Sequence, residues 1–243
     1  MIQLDEVSIG HGEDLVAPPL TLQIGHGEAV AVISRTGHGK TTLLETIAGL
    51  RPPASGRVLR GDSAAASPHH LPRIGYAPAD AAAWPVMRAD EFLETVGLSA
   101  GLVGKPLRLA VTRGLAFAHL GQRCDHRIDR LSDGQRKRLL LAATLLHDPD
   151  LLILDDPLRS LDTPGRAEVE QVIADLALAG GTIVAALNDG VIGTCWSRVL
   201  LLEHGRVFDS KRGLPHADNA WPAWSVAPLA AWQHRLNHPM SEG

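Results

Sequence analysis

The sequence predicts an α/β fold in which short buried strands alternate with helices and an all-helical segment is inserted between them. Three observations predict it. A β-branched run, EAVAVIS at 28–34, leads through a glycine-bearing turn into a helical pattern at TTLLETIAGL. Strand signals then vanish between about Ala79 and Arg130. They resume at LLILDD and GTIVAAL, whose uninterrupted apolar runs are typical of strands buried on both faces.

The first third of the chain supplies strands on either side of one helix. IQLDEVSI alternates like a strand, and SGRVLRG at 55–61 predicts another. The helix between them ends at Gly49, ahead of Pro52 and Pro53. A polar connector, SAAASPHHLP, then leads to a strand at RIGYAP.

The last third closes the fold. RVLLLEHGRVFD predicts a hairpin with its turn at His204 and Gly205, and the chain beyond Asp209 is irregular. Three tryptophans in that tail, Trp221, Trp224 and Trp232, pack on the chain's own core or form a docking surface for a partner, and both alternatives stay open.

Composition excludes several classes of protein. A net charge of -4 and a pI near 6.3 disfavour a general nucleic-acid binder. Cys124 and Cys195 are too few for a disulfide framework or a zinc site. The longest aliphatic run, LLLAATLL, is shorter than the ~20 residues that cross a bilayer, and MIQLDEVSIG is no signal peptide. We therefore expect a cytoplasmic protein, with any membrane contact indirect.

The segment SRTGHGKTT, residues 34–42, is the strongest chemical signal because it lies between a predicted strand and a predicted helix. That is the context of a phosphate-binding P-loop. Backbone N–H groups of Gly37, His38, Gly39 and Lys40 can bind phosphate oxygens, helped by the helix dipole. The Lys40 ammonium is expected to reach the β- and γ-phosphates.

Two threonines complete the predicted nucleotide site: Thr41 as a Mg²⁺ ligand, and Thr42 on the α-phosphate side. Ser34 and Thr36 belong to the same loop. The strict motif has glycine at the position of Ser34, so one residue departs from it. The alternative interpretation is an ordinary glycine-rich turn, which the Gly-Lys-Thr ending disfavours.

A pair of aspartates ends the predicted strand LLILD. In a parallel sheet, ligands bind at such carboxyl ends. Asp155 is predicted to hold Mg²⁺, usually through water, and Asp156 to face the attacking water. Without the P-loop, a strand end followed by a turn at Pro157 would be the favoured interpretation.

The segment LSDGQ, residues 131–135, precedes a predicted helix and then the paired aspartates. With the P-loop, the helical insertion, the SLD at 160–162 and a final strand, this order resembles the ABC ATPases over residues 2–208. The resemblance implies a P-loop NTPase (RecA-like) core with a β-rich N-terminal subdomain and a helical insertion of the ABC type. It also implies ATP and Mg²⁺ as ligands and a head-to-tail pair of ATPase subunits.

The resemblance further implies roles for the LSDGQ residues. Ser132 and Gly134 would meet the γ-phosphate of ATP held by the other subunit, at a helix N-terminus, and Gln135 completes the motif. Asp133 replaces the family's commoner glycine and is expected to point away. The segment Ser160–Asp162 would cross between the two ATP sites. The basic run Arg136–Arg138 is expected to surround phosphate or solvent.

Four departures from the family pattern cluster around hydrolysis rather than binding. Asp156 replaces the glutamate that polarises water, and Asn188 replaces a histidine that senses the γ-phosphate. Ala79 replaces a glutamine linking Mg²⁺ and water to the membrane subunit, and His11 replaces the aromatic residue that stacks on adenine. A carboxylate shortened by one methylene loses the ~2.6–3.2 Å contact that a general base needs. Together these changes predict a weakened catalytic site.

The sequence therefore predicts an ABC ATPase domain at 1–208, with a helical subdomain at about 79–135 and a tail at 209–243. The favoured function is the ATP-binding subunit of an ABC transporter, peripheral on the inner face of the membrane and paired with separate permease subunits. A non-transport regulatory or assembly switch with little hydrolysis stays open. So does the choice between a slow homodimer and a heterodimer with a more typical ABC subunit.

Overall fold

The computed structural model describes residues 1–11, 14–35, 37–61, 72–79, 86–121, 125–188, 192–203 and 206–212. The strands are β1 (Ile2–His11), β2 (Asp14–Ile24), β3 (Ala29–Ile33), β4 (Ser55–Arg60), β5 (Ile74–Ala77), β6 (Leu151–Asp155), β7 (Thr182–Leu187), β8 (Arg198–Glu203) and β9 (Arg206–Asp209). The α-helices are α1 (Lys40–Ala48), α2 (Ala89–Ser99), α3 (Gly104–Phe117), α4 (Asp133–Leu145) and α5 (Thr163–Leu178). Single 3₁₀ turns lie at Ile128–Arg130 and Ser210–Arg212.

The chain divides into two compact units, and the first takes its described residues from Met1–Leu71 and Glu170–Gly243. In this unit β3 lies between β7 and β8, parallel to both, and β9 pairs antiparallel with β8. Every residue of β3, β7 and β8 is buried. The apolar runs of β3 and β7 predict this burial, whereas β8 also buries the charged residues at its two ends, Arg198 and Glu203. The hairpin of β8 and β9 is confirmed by the pairing of Glu203 with Arg206. Its predicted turn residues lie outside the described ranges.

A second, antiparallel sheet in the first unit has the order β2-β1-β4. The strands predicted at IQLDEVSI and SGRVLRG are confirmed as β1 and β4. The edge strand β2 was not predicted, because it contains Pro18 and Pro19. The ladder pairs Ala17 with Ile9 and Leu20 with Val7, so the prolines fall where its register shifts. Proline is tolerated at edges and bulges because no ladder hydrogen bond is lost there.

Helix α1 is fixed at its C-terminal end by a residue of β4. The Arg60 guanidinium donates hydrogen bonds to the carbonyls of Ile47 and Thr46, at 2.5 and 2.7 Å. Gly49 takes a left-handed φ of 81° as the C-cap, and Thr46 and Glu45 carbonyls accept its N–H. The predicted helix end at Gly49 is thus confirmed. These contacts anchor the helix that follows the glycine turn.

An ion cluster around the buried Arg198 joins β8 and β9 to the start of β3 in the first unit. The Arg198 guanidinium lies 2.6 Å from the Asp209 carboxylate and 3.0 Å from that of Glu28. Lys211 adds a second cation, 2.5 Å from Glu28. Burial alone would raise the pKa of Glu28, but the hydrogen bonds from Lys211 and Arg198 outweigh it and lower that pKa.

The second unit, Pro72–Val169, contains the predicted helical insertion. Helices α2 and α3 lie within it, and β5 pairs parallel with β6. Its core is built from apolar side chains of α2, α4 and the segments around them: Ala89, Phe92, Leu93, Ala118, Leu120, Ile128, Leu131, Leu139, Ala142, Ala143 and Leu146. Across the described ranges, every helix is too short or too polar to span a membrane.

Candidate functional site

The glycine-bearing turn follows the C-terminal end of β3 and opens into α1. Gly37 and Gly39 both have φ of 84°, the left-handed region that glycine enters without a Cβ penalty. A Cβ built on Gly37 would meet nothing within 4 Å, so its requirement for glycine lies in the backbone conformation. Left-handed residues in a turn are the backbone conformations from which anion-binding nests are built. The His38 N–H between the two glycines donates to the Arg35 carbonyl at 3.4 Å.

The Lys40 ammonium is buried, with 7% of the residue exposed, and it is held against the same turn. It donates hydrogen bonds to the Ser34 carbonyl at 2.9 Å, the Ser34 hydroxyl at 3.0 Å and the Arg35 carbonyl at 3.3 Å. These bonds pre-position a cation at the mouth of the turn. The Ser34 hydroxyl in turn donates to the Arg35 carbonyl at 2.9 Å.

Ser34, the departure from the strict motif, is accommodated without backbone strain. Its φ is not positive, so the position does not require glycine. Its side chain adds a hydrogen bond to Lys40 that glycine would lack.

The start of α1 follows the glycine-bearing turn directly. Its N-cap is Gly39, which has no side chain to satisfy the first N–H groups of the helix. A ring nitrogen of His38 lies 3.2 Å from the Arg35 carbonyl, Thr41 is exposed, and Thr42 is half-buried. Thr36 lies outside the described residues.

Asn188 lies beside this turn. It directly follows β7, whose last residue, Leu187, pairs in parallel register with Ile33 at the end of β3. Since β3 runs into the turn at Ser34, Asn188 and the turn share one edge of the sheet. The Asn188 residue is exposed there.

His11, the predicted adenine-stacking residue, is the last residue of β1 and pairs with Asp14. Its side chain lies outside what the structure describes. Its stacking role therefore stays a prediction.

The paired aspartates lie in the second unit, at the end of β6. Asp155 and Asp156 are each only 4% exposed. Asp156 has a φ of 50°, a left-handed conformation that aspartate adopts more readily than most residues. Two buried carboxylates at a strand end are consistent with metal or water chemistry, since burial of a charge requires partners.

Lys137, on α4, is buried, in contrast to what its basic sequence context indicates. It belongs to the basic run that was expected to surround phosphate or solvent, but only 8% of it is exposed. Its ammonium donates to the Asp155 carbonyl at 3.2 Å and to the Ala79 carbonyl at 3.0 Å. The solvent alternative was wrong for Lys137, because its position on α4 directs it inward, and the phosphate alternative stays a prediction. The burial pattern of a helix beginning at Asp133 is the signal that could have shown this.

The flanking arginines of this run, unlike Lys137, are paired with carboxylates. Arg136 forms an ion pair with Asp133, so the Asp133 carboxylate is held by its own helix. Arg138 lies 3.6 Å from Asp162 and 3.3 Å from Glu168. Arg138 thus connects α4 to the predicted bridging segment Ser160–Asp162.

The LSDGQ segment forms the start of α4. Ser132 is its N-cap: the Ser132 hydroxyl accepts from the Gln135 N–H at 3.2 Å, and the Ser132 N–H donates to the Gln135 Oε1 at 3.1 Å. This reciprocal capping box fixes the helix N-terminus. A Cβ on Gly134 would lie 3.3 Å from the Ser160 carbonyl, so glycine permits the two segments to approach.

A left-handed glycine turn that holds a buried lysine at a helix N-terminus, after a buried parallel strand, defines the class of P-loop nucleotide-binding proteins. The comparisons with known proteins define the family. The ABC transporter family model matches residues 18–159. The chain belongs to this family, and the α/β fold predicted from the sequence is confirmed by its structural neighbours. It is an ATP-binding ATPase subunit of an ABC transporter.

Individual relatives agree with this assignment. The aliphatic sulfonates import ATP-binding protein SsuB of Shigella flexneri is 37% identical over 206 residues, covering 84% of this chain and 78% of the relative. SsuB of Escherichia coli strain K12 is 36% identical with the same coverage. A solved dimeric structure of a post-hydrolysis state of the ATP-binding cassette MJ0796, bound to ADP and Pi, has a TM-score of 0.74 and 26% identity. The match covers 86% of this chain and 97% of that chain.

Proposed function

We propose that this chain holds MgATP on the turn Ser34–Thr42 and hydrolyses it slowly to drive an importer. The observation that supports the proposal most strongly is the Lys40 ammonium, buried and pre-positioned by three hydrogen bonds within a turn of two left-handed glycines. The N–H groups of Gly37, His38, Gly39 and Lys40 are the proposed phosphate donors.

Mg²⁺ is proposed to take oxygen ligands from Thr41 and Asp155. A hydroxyl and a carboxylate are the hard oxygen donors that this ion prefers, and Mg²⁺ keeps several waters besides. The exposure of Thr41 and the placement of Asp155 at the end of β6 are consistent with these roles. The bound ion would neutralise charge on the phosphates.

Slow hydrolysis is proposed from the residues at the catalytic positions. Asp156 is the proposed water-polarising carboxylate, one methylene shorter than the family's glutamate. Its backbone is in the left-handed region, which aspartate tolerates better than most residues. Asn188 lies at the sheet edge beside the turn and can donate a hydrogen bond but cannot carry a proton. Loss of a well-placed general base typically removes a factor of ~10²–10⁴ in rate.

The partner is proposed to be a second, more typical ABC subunit. The capped start of α4 supports it, because Ser132, Gly134 and Gln135 form an ordered helix N-terminus that can bind the γ-phosphate of ATP on another subunit. A heterodimer would therefore combine this chain's intact LSDGQ with a catalytically complete site on the partner. A homodimer would carry the same defects twice.

The assembly is proposed to lie on the inner face of the membrane, bound to separate permease subunits. The relatives named SsuB are import ATP-binding proteins, and we propose import for this chain as well. Copurification with a multi-span membrane protein is the expected result. Purification of the chain from membranes without any such protein would contradict this part of the proposal.

Isothermal titration calorimetry of Lys40→Ala tests the nucleotide site. Loss of a buried cation that donates charge-assisted hydrogen bonds is expected to weaken MgATP binding by roughly 10²-fold or more. The matched control is Lys105→Ala, an exposed lysine on α3, which should bind as the wild type does. Undiminished affinity in Lys40→Ala would show that the phosphate site is elsewhere.

A further inference from the structure

The second unit contains a buried cation that the proposed mechanism does not use. Lys137 lies one turn into α4, the helix that begins with the LSDGQ segment. Its ammonium donates to two main-chain carbonyls, those of Ala79 and Asp155. Burying an ammonium is costly unless its protons are hydrogen-bonded, so a lysine at 8% exposure is constrained to keep these partners.

The Asp155 carbonyl belongs to the peptide that leads into Asp156. A peptide unit is planar, so a bond that holds the carbonyl oxygen of Asp155 also fixes the plane of the Asp156 N–H. The next backbone torsion after this peptide is the φ of Asp156, which is 50°. A non-glycine residue keeps such a φ only where its surroundings over-determine the backbone. The charge-assisted hydrogen bond from Lys137 to the Asp155 carbonyl is one of the contacts that hold this backbone conformation.

The Ala79 carbonyl belongs to the segment that follows β5. Strand β5 pairs in parallel with β6, and Ala77 lies opposite Leu154, so both carbonyls leave the same edge of this strand pair. Ala79 replaces the family's glutamine, and its methyl group cannot bind Mg²⁺ or water. Its main chain is nevertheless tied to the Asp155 peptide through the Lys137 ammonium.

We propose that Lys137 is a positioning residue for hydrolysis. Its ammonium fixes the peptide between Asp155 and Asp156, and this orients the Asp156 carboxylate. The same ammonium links that peptide to the Ala79 carbonyl. The inference rests on the proposed function, because it acts through the carboxylate assigned to water. It requires that loss of the Lys137 donors lower the rate of the chemical step and leave nucleotide binding on Ser34–Thr42 intact.

The test is a double-mutant cycle on the purified full chain. Lys137→Met removes the donors and keeps the length of the side chain. Single-turnover hydrolysis of MgATP should slow by roughly 10–100-fold, the cost of a misplacement of about 1 Å, while the Kd for MgATP stays within about twofold. Lys137→Arg, which keeps the charge and the donors, should restore most of the rate.

The cycle is completed in an Asp156→Asn background. If Lys137 acts through Asp156, Lys137→Met should cause no further loss there, because the group that it positions is already inactive. A full additional loss would assign Lys137 a purely structural role and overturn the inference. So would a Lys137→Met variant that keeps at least half of the wild-type rate.

Leu93→Ala is the control for stability. Leu93 is fully buried in the same unit, on α2, and is not among the hydrogen-bond partners of either carbonyl. The Leu93→Ala variant should have a lower unfolding midpoint than the wild type and the same single-turnover rate. If the wild-type chain itself fails to bind MgATP, the proposed function fails. If it binds and hydrolyses MgATP but Lys137→Met is unaffected, only the inference about Lys137 fails.

Discussion

The turn at Ser34–Thr42 and the strand end at Asp155–Asp156 differ in how they depart from the family pattern. At the turn, the one departure, Ser34, adds a hydrogen bond to Lys40. At the strand end, Asp156 replaces a longer acid and is held in a left-handed conformation. We therefore propose that phosphate binding at the turn is preserved and that hydrolysis, assigned to Asp156, is weakened. Binding and turnover are therefore expected to be affected separately by mutation.

The largest expected effect is on an assembly of this chain with a more typical ABC subunit. Ser132→Arg places a bulky cation at the capped N-terminus of α4 and should reduce ATP turnover of the mixture by at least about 10²-fold. Asp156→Ala in the same mixture should change turnover little. ATPase assays of the two mixtures compare them directly. The reverse ranking, or full activity from this chain alone, would exclude the heterodimer.

The next effect should come from restoring the family residues. Asp156→Glu with Asn188→His should raise the turnover number by roughly 10-fold or more, since a better-placed general base contributes up to ~10²–10⁴. Because residue 156 has a φ of 50°, glutamate there should also lower the unfolding midpoint slightly. Steady-state kinetics and thermal melts measure the two changes. A double variant at or below the wild-type rate would contradict the geometric account.

A smaller effect is expected at the glycine turn. Gly39→Ala forces a Cβ into a φ of 84°, a strain of roughly 1–2 kcal/mol that should weaken MgATP binding by about 5–30-fold. Gly121→Ala is the control, because Gly121 does not have a positive φ and a Cβ there meets nothing within 4 Å. Calorimetry should show wild-type affinity for the control. Equal affinities in both variants would show that the turn conformation does not matter for binding.

The smallest effect concerns stability rather than function. Glu28→Gln should lower the free energy of unfolding at neutral pH by about 1 kcal/mol, because it removes a charge-assisted partner of Arg198. The pKa of Glu28 is held below its usual value of 4.5, so its contribution is present above that pH and is lost as the pH falls through the lowered pKa. Urea unfolding from pH 7 to pH 3 should show the variant and the wild type converging. A constant difference would exclude this ion cluster as the cause.

Much of the fold could be predicted from local patterns. The buried strands β3, β6 and β7 are continuous apolar runs, and α1 ends at a glycine followed by prolines, so periodicity and turn chemistry suffice. Strand β2 could not be predicted, because its prolines are tolerated only through a bulge at a sheet edge, which is a tertiary feature. The 16-residue helix α5 also went unpredicted.

The candidate site was predictable where a motif carries the chemistry and not where tertiary contacts do. The residues of SRTGHGKTT and LSDGQ were found by their spacing, although their catalytic and binding roles stay predictions. The burial of Lys137 and its bonds to Ala79 and Asp155 depend on where α4 packs. The basic run Arg136–Arg138 indicated that Lys137 would face phosphate or solvent.

The most direct test of the account measures binding and chemistry on one sample of the wild-type chain. MgATP affinity is determined by calorimetry, and hydrolysis of the bound nucleotide is then followed in a single turnover with the protein in excess. The account predicts ready MgATP binding together with a chemical step that Asp156→Glu and Asn188→His accelerate. Rapid hydrolysis by the unaided wild-type chain, at the rate of the restored variant, would contradict it.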